Sequence, residues 1–169
     1  MRELAECRFV DLHQNVIFQG DPGLGKTHLA CALGREAIKR GYSTLFITAN
    51  ELLTVLDKAR RENCLDDCVK KINRNKVLII DELGYQVQNI TDSEWLMYVL
   101  INARYTKNST IVTTNRKMVE LPMIWGKDYT CAQSVIDRLM GNTKLIKMTG
   151  KSYRLRSLEM VEAELGNKE

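Results

Sequence analysis

A glycine-rich segment, Gly20-Asp21-Pro22-Gly23-Leu24-Gly25-Lys26-Thr27, constrains this chain more than any other feature of its sequence. It matches the phosphate-binding pattern G-x-x-x-x-G-K-[ST] at every fixed position. Glycines let the backbone curl so that successive N–H groups point at phosphate oxygens, and the following helix presents its positive end to them. The pattern therefore predicts a strand, a phosphate-binding loop and a helix in succession.

The segments on both sides of the loop agree with this prediction. Val16-Ile17-Phe18-Gln19 has the character of a buried strand, and residues 27–40 read as a helix with one apolar side: Leu29, Ala30, Leu33, Ala37 and Ile38. Lys26 is expected to reach the β- and γ-phosphates of ATP, and the Thr27 hydroxyl to hold Mg²⁺. The expected nucleotide-binding residues here are Gly20, Asp21, Pro22, Gly23, Leu24, Gly25, Lys26, Thr27 and His28.

Strand-like and helix-like segments alternate along the rest of the chain. Further strands are predicted at 43–48, 77–80 and 110–113, with an edge strand at 144–148, and further helices at 92–105 and 134–140. Gly41 is expected to end the first helix, and Asn50 to cap a helix whose inward residues are Leu52, Leu53, Val55 and Leu56. Residues 60–71 read as a charge-rich connection. This alternation predicts an α/β fold, a doubly wound parallel sheet with helices on both faces.

Two adjacent acids follow the apolar run at 77–80. A strand that ends in an acid places it beside the phosphate-binding loop, because α/β sheets bind ligands at the carboxyl ends of their strands. Asp81 is expected to bind Mg²⁺, directly or through water, and Glu82 to act as the general base on an attacking water. Asn115, at the end of the next predicted strand, is expected to position that water by hydrogen bonds.

One arginine stands among apolar residues in the predicted helix at 134–140. Arg138 is framed by Val135, Ile136, Leu139 and Met140. Such an arginine either extends to the surface of its own subunit or projects at a partner. In the second case it would neutralise transition-state charge at the ATP of a neighbouring subunit. The residues alone leave both alternatives open.

The composition narrows the class of protein. The chain has 169 residues, 44% hydrophobic and 27% charged, which is typical of one soluble domain. It shows no signal peptide and no apolar run of about 20 residues, so a cytoplasmic protein with no membrane partner is expected. Five scattered cysteines indicate a reduced state, and the spacing of Cys64 and Cys68 favours helix packing over a metal site.

The net charge of +4 permits nucleic-acid binding without requiring it. A group of basic residues follows the second strand: Lys58, Arg60, Arg61, Lys70, Lys71, Arg74 and Lys76. Such a group is either solvated surface or a contact to DNA. No aromatic residue is interleaved with it, so any contact is expected to be to phosphates, with low sequence specificity.

These motifs resemble those of the AAA+ ATPases of the IstB/DnaC-like family, the transposition helpers and bacterial helicase loaders. The resemblance extends from about Leu4 to Arg156 and includes Arg8-Phe9-Val10, Asn15-Val16-Ile17-Phe18-Gln19-Gly20, Gly25-Lys26-Thr27-His28-Leu29-Ala30, Leu78-Ile79-Ile80-Asp81-Glu82-Leu83-Gly84-Tyr85, Thr114-Asn115, Asp137-Arg138-Leu139 and Ser152-Tyr153-Arg154-Leu155. It implies the two Walker motifs at Lys26, Thr27, Asp81 and Glu82. It also implies sensor 1 at Asn115, an arginine finger at Arg138 and the sensor-2 arginine at Arg154.

Two segments favour the IstB branch over the DnaC-type loaders, namely Asp81-Glu82-Leu83-Gly84-Tyr85 and Lys151-Ser152-Tyr153-Arg154-Leu155. The chain departs from that branch at Gln86-Val87-Gln88, where a proline usually follows soon after the Gly-Tyr pair. The helical segment that usually precedes the ATPase domain and recruits the protein partner is not seen. We therefore expect residues 1–169 to form a single AAA+ ATPase domain without a substantial C-terminal lid.

The expected function is that of an ATP-hydrolysing protein that forms homo-oligomers on DNA. The resemblance implies a transposase as the protein partner, with a replicative helicase as the alternative. Two other classes share the phosphate-binding loop. A small-molecule kinase would need an arginine-rich lid, which the sequence does not show, and Asp81, Glu82 and Asn115 favour water as the acceptor. A nucleotide-gated scaffold that binds ATP and hardly hydrolyses it stays open.

Overall fold

Five strands, all parallel, form the centre of the molecule in this computed structural model, which describes residues 2–84, 90–125 and 127–153. The strands are β1 Asn15–Gly20, β2 Thr44–Thr48, β3 Val77–Asp81, β4 Ser109–Thr114 and β5 Thr143–Met148. Their order in the sheet is β2-β3-β4-β1-β5. The carboxyl ends of β1, β3 and β4 therefore meet at one edge of the sheet, as predicted, and β5 is an edge strand.

Helices cover both faces of this sheet. They are α1 Arg2–Ala5, α2 Arg8–Asp11, α3 Lys26–Lys39, α4 Ala49–Arg61, α5 Leu65–Asn73, α6 Ser93–Arg104, α7 Leu121–Ile124 and α8 Tyr129–Met140, with a 3₁₀ turn at Met118–Glu120. Alternate residues of β1 face opposite cores: Val16 and Phe18 pack towards α1–α3, and Ile17 packs towards α4–α8. The predicted α/β architecture is confirmed.

The helix after β2 begins two residues earlier than predicted. Its N-cap is Thr48, not Asn50, because the Thr48 hydroxyl accepts the Glu51 N–H at 3.2 Å while the Glu51 carboxylate accepts the Thr48 N–H at 3.1 Å. Two side chains predicted to face inward are also on the surface. Val55 of α4 is 43% exposed and Ile38 of α3 is 59% exposed.

The prediction of a connection at residues 60–71 is wrong. Helix α4 continues to Arg61, and α5 occupies most of the remainder. The apolar residues of α5 recur at helical spacing and pack on the core, although charged residues separate them: Leu65, Cys68, Val69 and Ile72. Helix α8 likewise starts five residues before the predicted position 134. Its N-cap is Asp128, whose carboxylate accepts the Cys131 N–H at 3.0 Å.

A buried arginine ties the amino ends of β3 and β4 together. The Arg104 side chain is 1% exposed and donates to the Ser109 carbonyl at 2.7 Å, the Asn75 carbonyl at 3.1 Å and the Thr110 hydroxyl at 3.2 Å. Burial lowers the pKa of this guanidinium to about 10. Because its donors are used on the backbone and on side chains of the fold, we assign Arg104 a structural role.

A buried glutamate sets the start of α8. Glu94 is 4% exposed, and one of its carboxylate oxygens accepts the backbone N–H groups of Lys127 and Asp128, each at 3.0 Å. Burial acts to raise the pKa of Glu94, but the backbone donors and the Ser93 hydroxyl outweigh it, so the pKa is lowered. This carboxylate fixes the chain at the point where α8 begins.

Residues 149–152 follow β5 as an irregular segment. All five cysteines are free thiols. Within residues 2–84, 90–125 and 127–153, no helix has the length and apolar character needed to cross a membrane.

Candidate nucleotide-binding site

The glycine-rich loop links β1 to α3 and has the backbone conformation that its glycines allow. Gly23 and Gly25 have φ values of 81° and 87°, in the left-handed region that favours glycine. Gly25 is the N-cap of α3, so Lys26 and Thr27 are the first two residues of that helix. Leu24 is buried and anchors the loop, whereas Asp21 and Pro22 are exposed. The positive end of α3 therefore opens at the loop.

The loop backbone positions its own lysine. The Lys26 Nζ atom donates to the Gly20 carbonyl at 2.6 Å and to the Asp21 carbonyl at 2.8 Å. An ammonium group has three donors and carries a full positive charge. The structure thus holds the ammonium group of Lys26, which is predicted to bind phosphate, against the backbone of the loop.

The side chains of Thr27 and Asp81 meet at the carboxyl end of β3. The Thr27 hydroxyl lies 3.0 Å from Asp81 Oδ1 and 3.1 Å from Oδ2. This separation suits two adjacent ligands in an octahedral shell with metal–oxygen distances of about 2.1 Å, as Mg²⁺ requires. The described residues contain no cluster of three or more acidic, histidine or cysteine ligands. The pair therefore fits Mg²⁺ that takes its other ligands from phosphates and water.

A buried threonine connects the two adjacent acids. The Thr113 hydroxyl donates to Asp81 Oδ1 and accepts the Glu82 N–H at 2.9 Å, and the Thr113 carbonyl accepts the Leu83 N–H at 2.9 Å. Glu82 has φ 61°, which is unusual for a residue with a side chain. Thr113 was not among the residues predicted from the sequence. One feature could have identified it, namely a hydroxyl side chain in β4, a strand that is buried along its whole length.

A cleft of about 530 Å³ brings most of the predicted site residues together. Those that line it are Pro22, Gly23, Gly25, Lys26, Thr27, His28, Glu82 and Asn115. Cys31, Thr113, Thr114 and Tyr153 also line it and were not predicted. Burial, with a smaller contribution from the Asp81 carboxylate, raises the pKa of the Cys31 thiol.

A second cavity of about 620 Å³ adjoins the cleft, sharing Gly25, His28 and Tyr153 with it. Its apolar lining includes Leu24, Leu29 and Met148. The segment after β5 closes on the loop here, since the Tyr153 N–H donates to the Gly23 carbonyl at 3.0 Å. The two cavities together offer a polar end for phosphates and an apolar end for a base.

Arg138 lies away from this cleft. It lines a different cavity with Asn15 and Thr110, which stand at the amino ends of β1 and β4. Its guanidinium donates to the Asn102 side chain at 3.0 Å and lies 4.7 Å from the centre of the Tyr98 ring. The structure thus does not bring Arg138 to the Lys26 cleft of its own chain. The predicted sensor-2 residue, Arg154, lies outside the described residues.

Most residues of the predicted basic group are paired with acids. Asp57 pairs with both Arg60 and Arg61, and two further lysine–carboxylate pairs are Lys58 with Glu62 and Lys70 with Asp67. The remaining members have no acidic partner within the described part of the chain: Lys71, Arg74 and Lys76. All three are exposed, near the start of β3.

Solved structures of AAA+ proteins have folds similar to that of this chain. The crystal structure of DnaI superposes with a TM-score of 0.72 at 23% identity, covering 89% of this chain and 81% of that one. The AMPPCP-bound DnaA from Aquifex aeolicus superposes with a TM-score of 0.69 at 19% identity, covering 97% of this chain and 50% of that one. At these identities the likeness establishes the fold alone. The predicted P-loop AAA+ fold is confirmed.

Two proteins found by sequence comparison share a higher sequence identity with this chain than these structures do. The chain is 39% identical over 156 residues to an ATP-binding protein of insertion sequence IS21 from Pseudomonas aeruginosa, covering 92% of this chain and 58% of that protein. It is 39% identical over 162 residues to an ATP-binding protein of insertion sequence IS5376 from Geobacillus stearothermophilus, covering 96% of this chain and 64% of that protein. The IstB-like ATP-binding protein family matches residues 1–160. The chain therefore belongs to the IstB-like ATP-binding protein family.

Proposed function

We propose that this chain binds Mg-ATP in the Lys26 cleft and hydrolyses it in support of transposition. One observation carries the proposal: Thr27 and Asp81 are 3.0 Å apart beside the lysine of the loop. A hydroxyl and a carboxylate from different elements converge where nucleotide phosphates bind in α/β folds. The base would lie in the adjoining apolar cavity, and the phosphates over the loop.

Each residue of the cleft has a role in this proposal. Lys26 and the loop N–H groups would bind the phosphates, and Thr27 and Asp81 would hold Mg²⁺. The metal, when bound, neutralises phosphate charge. Glu82 would accept the proton of the attacking water, while the Asn115 amide would orient that water. Both side chains line the cleft, as this chemistry requires.

Completion of the site by a second subunit is part of the proposal. Arg138 is half-buried at the opposite end of the strands from Lys26, so it would serve the ATP of a neighbouring copy and not its own. To reach that ATP it would leave the Asn102 and Tyr98 contacts. A positive charge delivered in this way stabilises the transferring phosphoryl group.

For DNA, we propose contact through phosphates at Lys71, Arg74 and Lys76. These exposed cations are not already neutralised by a carboxylate of the described chain, unlike the paired residues of the same group. The insertion-sequence relatives favour a transposase as the protein partner. A replicative helicase has support only from fold likeness to a DnaC helicase loader, at 23% identity.

The experiment that tests the proposal is the rate of ATP hydrolysis by the purified chain with Mg²⁺, with and without duplex DNA. We expect turnover that DNA stimulates. ATP binding without turnover would support the nucleotide-gated scaffold instead. Transfer of the phosphoryl group to a small molecule, with little release of inorganic phosphate, would support a kinase.

A further inference from the structure

We propose that Thr113 is a positioning residue that couples the metal-binding acid to the general base. This inference rests on the proposed function, because it assigns Thr113 to the reaction of Asp81 and Glu82. Thr113 borders the cleft but is only 1% exposed, so we assign it an action through these two neighbours and not contact with the nucleotide.

The register of the sheet brings Thr113 to this place. In the β3–β4 ladder Ile80 pairs with Val112, so the next pair along the two strands is Asp81 and Thr113. A hydroxyl in that position can donate one hydrogen bond and accept others. It donates to Asp81 Oδ1, the same oxygen that lies 3.0 Å from the Thr27 hydroxyl. Thr113 therefore fixes the rotation of the carboxylate that would bind Mg²⁺.

The same hydroxyl also holds the backbone of the general base. Glu82 adopts φ 61°, a conformation that costs free energy in a residue with a side chain and persists only where its surroundings impose it. Thr113 supplies this constraint on both sides of Glu82, accepting the Glu82 N–H with its hydroxyl and the Leu83 N–H with its carbonyl. One side chain thus sets the orientation of Asp81 and the direction in which Glu82 leaves the strand.

Two substitutions distinguish the effect of the Thr113 hydroxyl from the effect of the side-chain shape. Thr113→Val keeps the branched shape and removes both hydrogen bonds of the side chain, whereas Thr113→Ser keeps the hydroxyl. In Thr113→Val we expect kcat for ATP to fall by about 10²-fold, with KM within about threefold of the parent, since misplacement of reacting groups by about 1 Å costs this much. Thr113→Ser should retain kcat within about threefold.

Thr110→Val is the matched control. Thr110 is a threonine of the same strand, is 2% exposed and accepts a hydrogen bond from Arg104, far from the cleft. Thr110→Val should lower the melting temperature and leave kcat and KM unchanged at temperatures where the variant is folded. Equal loss of kcat in both valine variants would overturn the positioning role, because it would show that strand stability alone is responsible.

Amide exchange provides a test that needs no nucleotide. In Thr113→Val the Glu82 N–H loses its acceptor, but the Leu83 N–H keeps the Thr113 carbonyl. Hydrogen exchange followed by NMR should therefore accelerate by at least about tenfold at Glu82 and stay near the parent rate at Leu83. Unchanged exchange at Glu82 would overturn the inference.

Two further comparisons make the outcome decisive. If Thr113→Val does not fold, Thr113→Cys replaces it, because cysteine differs from serine by one atom and hydrogen-bonds weakly. Glu82→Gln separates the two proposals. A parent chain without ATP turnover contradicts ATP hydrolysis and this inference together, and equal turnover in the parent and Glu82→Gln contradicts the assignment of Glu82 as the base. A fast parent with a slow Glu82→Gln and an equally fast Thr113→Val contradicts the role of Thr113 alone.

Discussion

The Thr27 hydroxyl lies 3.0 Å from Asp81 Oδ1, although 54 residues separate the two in the chain. Thr27 stands in the first turn of α3 and Asp81 ends β3, so the contact joins the helix after the loop to a strand two places away from β1 in the sheet. Both residues were predicted as Mg²⁺ ligands. Their proximity is the geometric basis for the predictions below.

Removal of the loop lysine should weaken nucleotide binding strongly and leave the fold intact. Lys26→Ala loses charge-assisted hydrogen bonds to phosphate worth about 1.5–3 kcal/mol, so ATP affinity should fall by at least about tenfold in calorimetry. Lys39→Ala is the control, since Lys39 lies in the same helix and pairs with Glu36 on the surface. Equal ATP affinity in Lys26→Ala and the parent would contradict the assignment of this cleft as the ATP-binding site.

Mixing of two inactive variants should restore activity if Arg138 acts between subunits. Arg138→Ala alone should lose about 10³-fold or more in turnover, as for other arginine fingers. Arg138→Ala subunits keep Lys26, and Lys26→Ala subunits keep Arg138, so mixed assemblies contain some complete sites. The measurement is ATP turnover of the mixture at high protein concentration with DNA. If turnover is strictly linear in protein concentration and mixing restores no activity, Arg138 does not act at the ATP of a neighbouring subunit. It would then be a surface arginine of its own subunit.

Salt dependence should identify the cations that contact DNA. The triple change Lys71→Gln, Arg74→Gln and Lys76→Gln should reduce the slope of log affinity against log salt by about 0.9 for each phosphate that the protein no longer neutralises. The control changes three lysines that pair with carboxylates, each to glutamine: Lys58, Lys70 and Lys117. Both triples remove three charges. Equal slopes for the two triples would mean that net charge, and not this surface, governs binding.

Stability should depend on acid pH through Glu94. Its pKa in the folded chain lies below the ordinary value of 4.5, so its contribution is complete above about pH 4.5 and is lost as the pH falls through the folded pKa. Glu94→Gln should lower the free energy of unfolding by about 1–3 kcal/mol at pH 7, and this difference should shrink below pH 4.5. Urea unfolding of the parent and variant at several pH values measures it, and a difference that stays constant down to pH 3 would contradict the assignment.

The phosphate-binding loop and the buried strands could be predicted from the sequence because both depend on local residue order. The loop pattern specifies Gly25, Lys26 and Thr27 by spacing alone, and an apolar run specifies β3. Helix α5 was predicted only as the helical spacing of Cys64 and Cys68, and its extent was missed because its charged residues obscured the apolar spacing. Local information also misplaced the start of α4, where a capping box at Thr48 competes with Asn50.

The role of Thr113 could not be predicted in this way, because it depends on the register between two strands. A shift of one residue in that register would place a different side chain opposite Asp81. The position of Arg138 is similar, since it depends on how α8 packs against α6. Interactions of this kind arise from tertiary packing and leave no periodic signal along the chain.

The most direct test of the central claim compares ATP turnover by the parent chain and by Glu82→Gln, with Mg²⁺ and DNA present. Glu82→Gln preserves the shape of the side chain and removes the base. We expect both proteins to bind ATP with affinities within about threefold, and turnover to fall by about 10²-fold or more in the variant. Glu62→Gln, on the surface beside Lys58, should hydrolyse ATP at the parent rate. Equal turnover in the parent and Glu82→Gln would show that Glu82 is not the general base, and would contradict the mechanism proposed for this cleft.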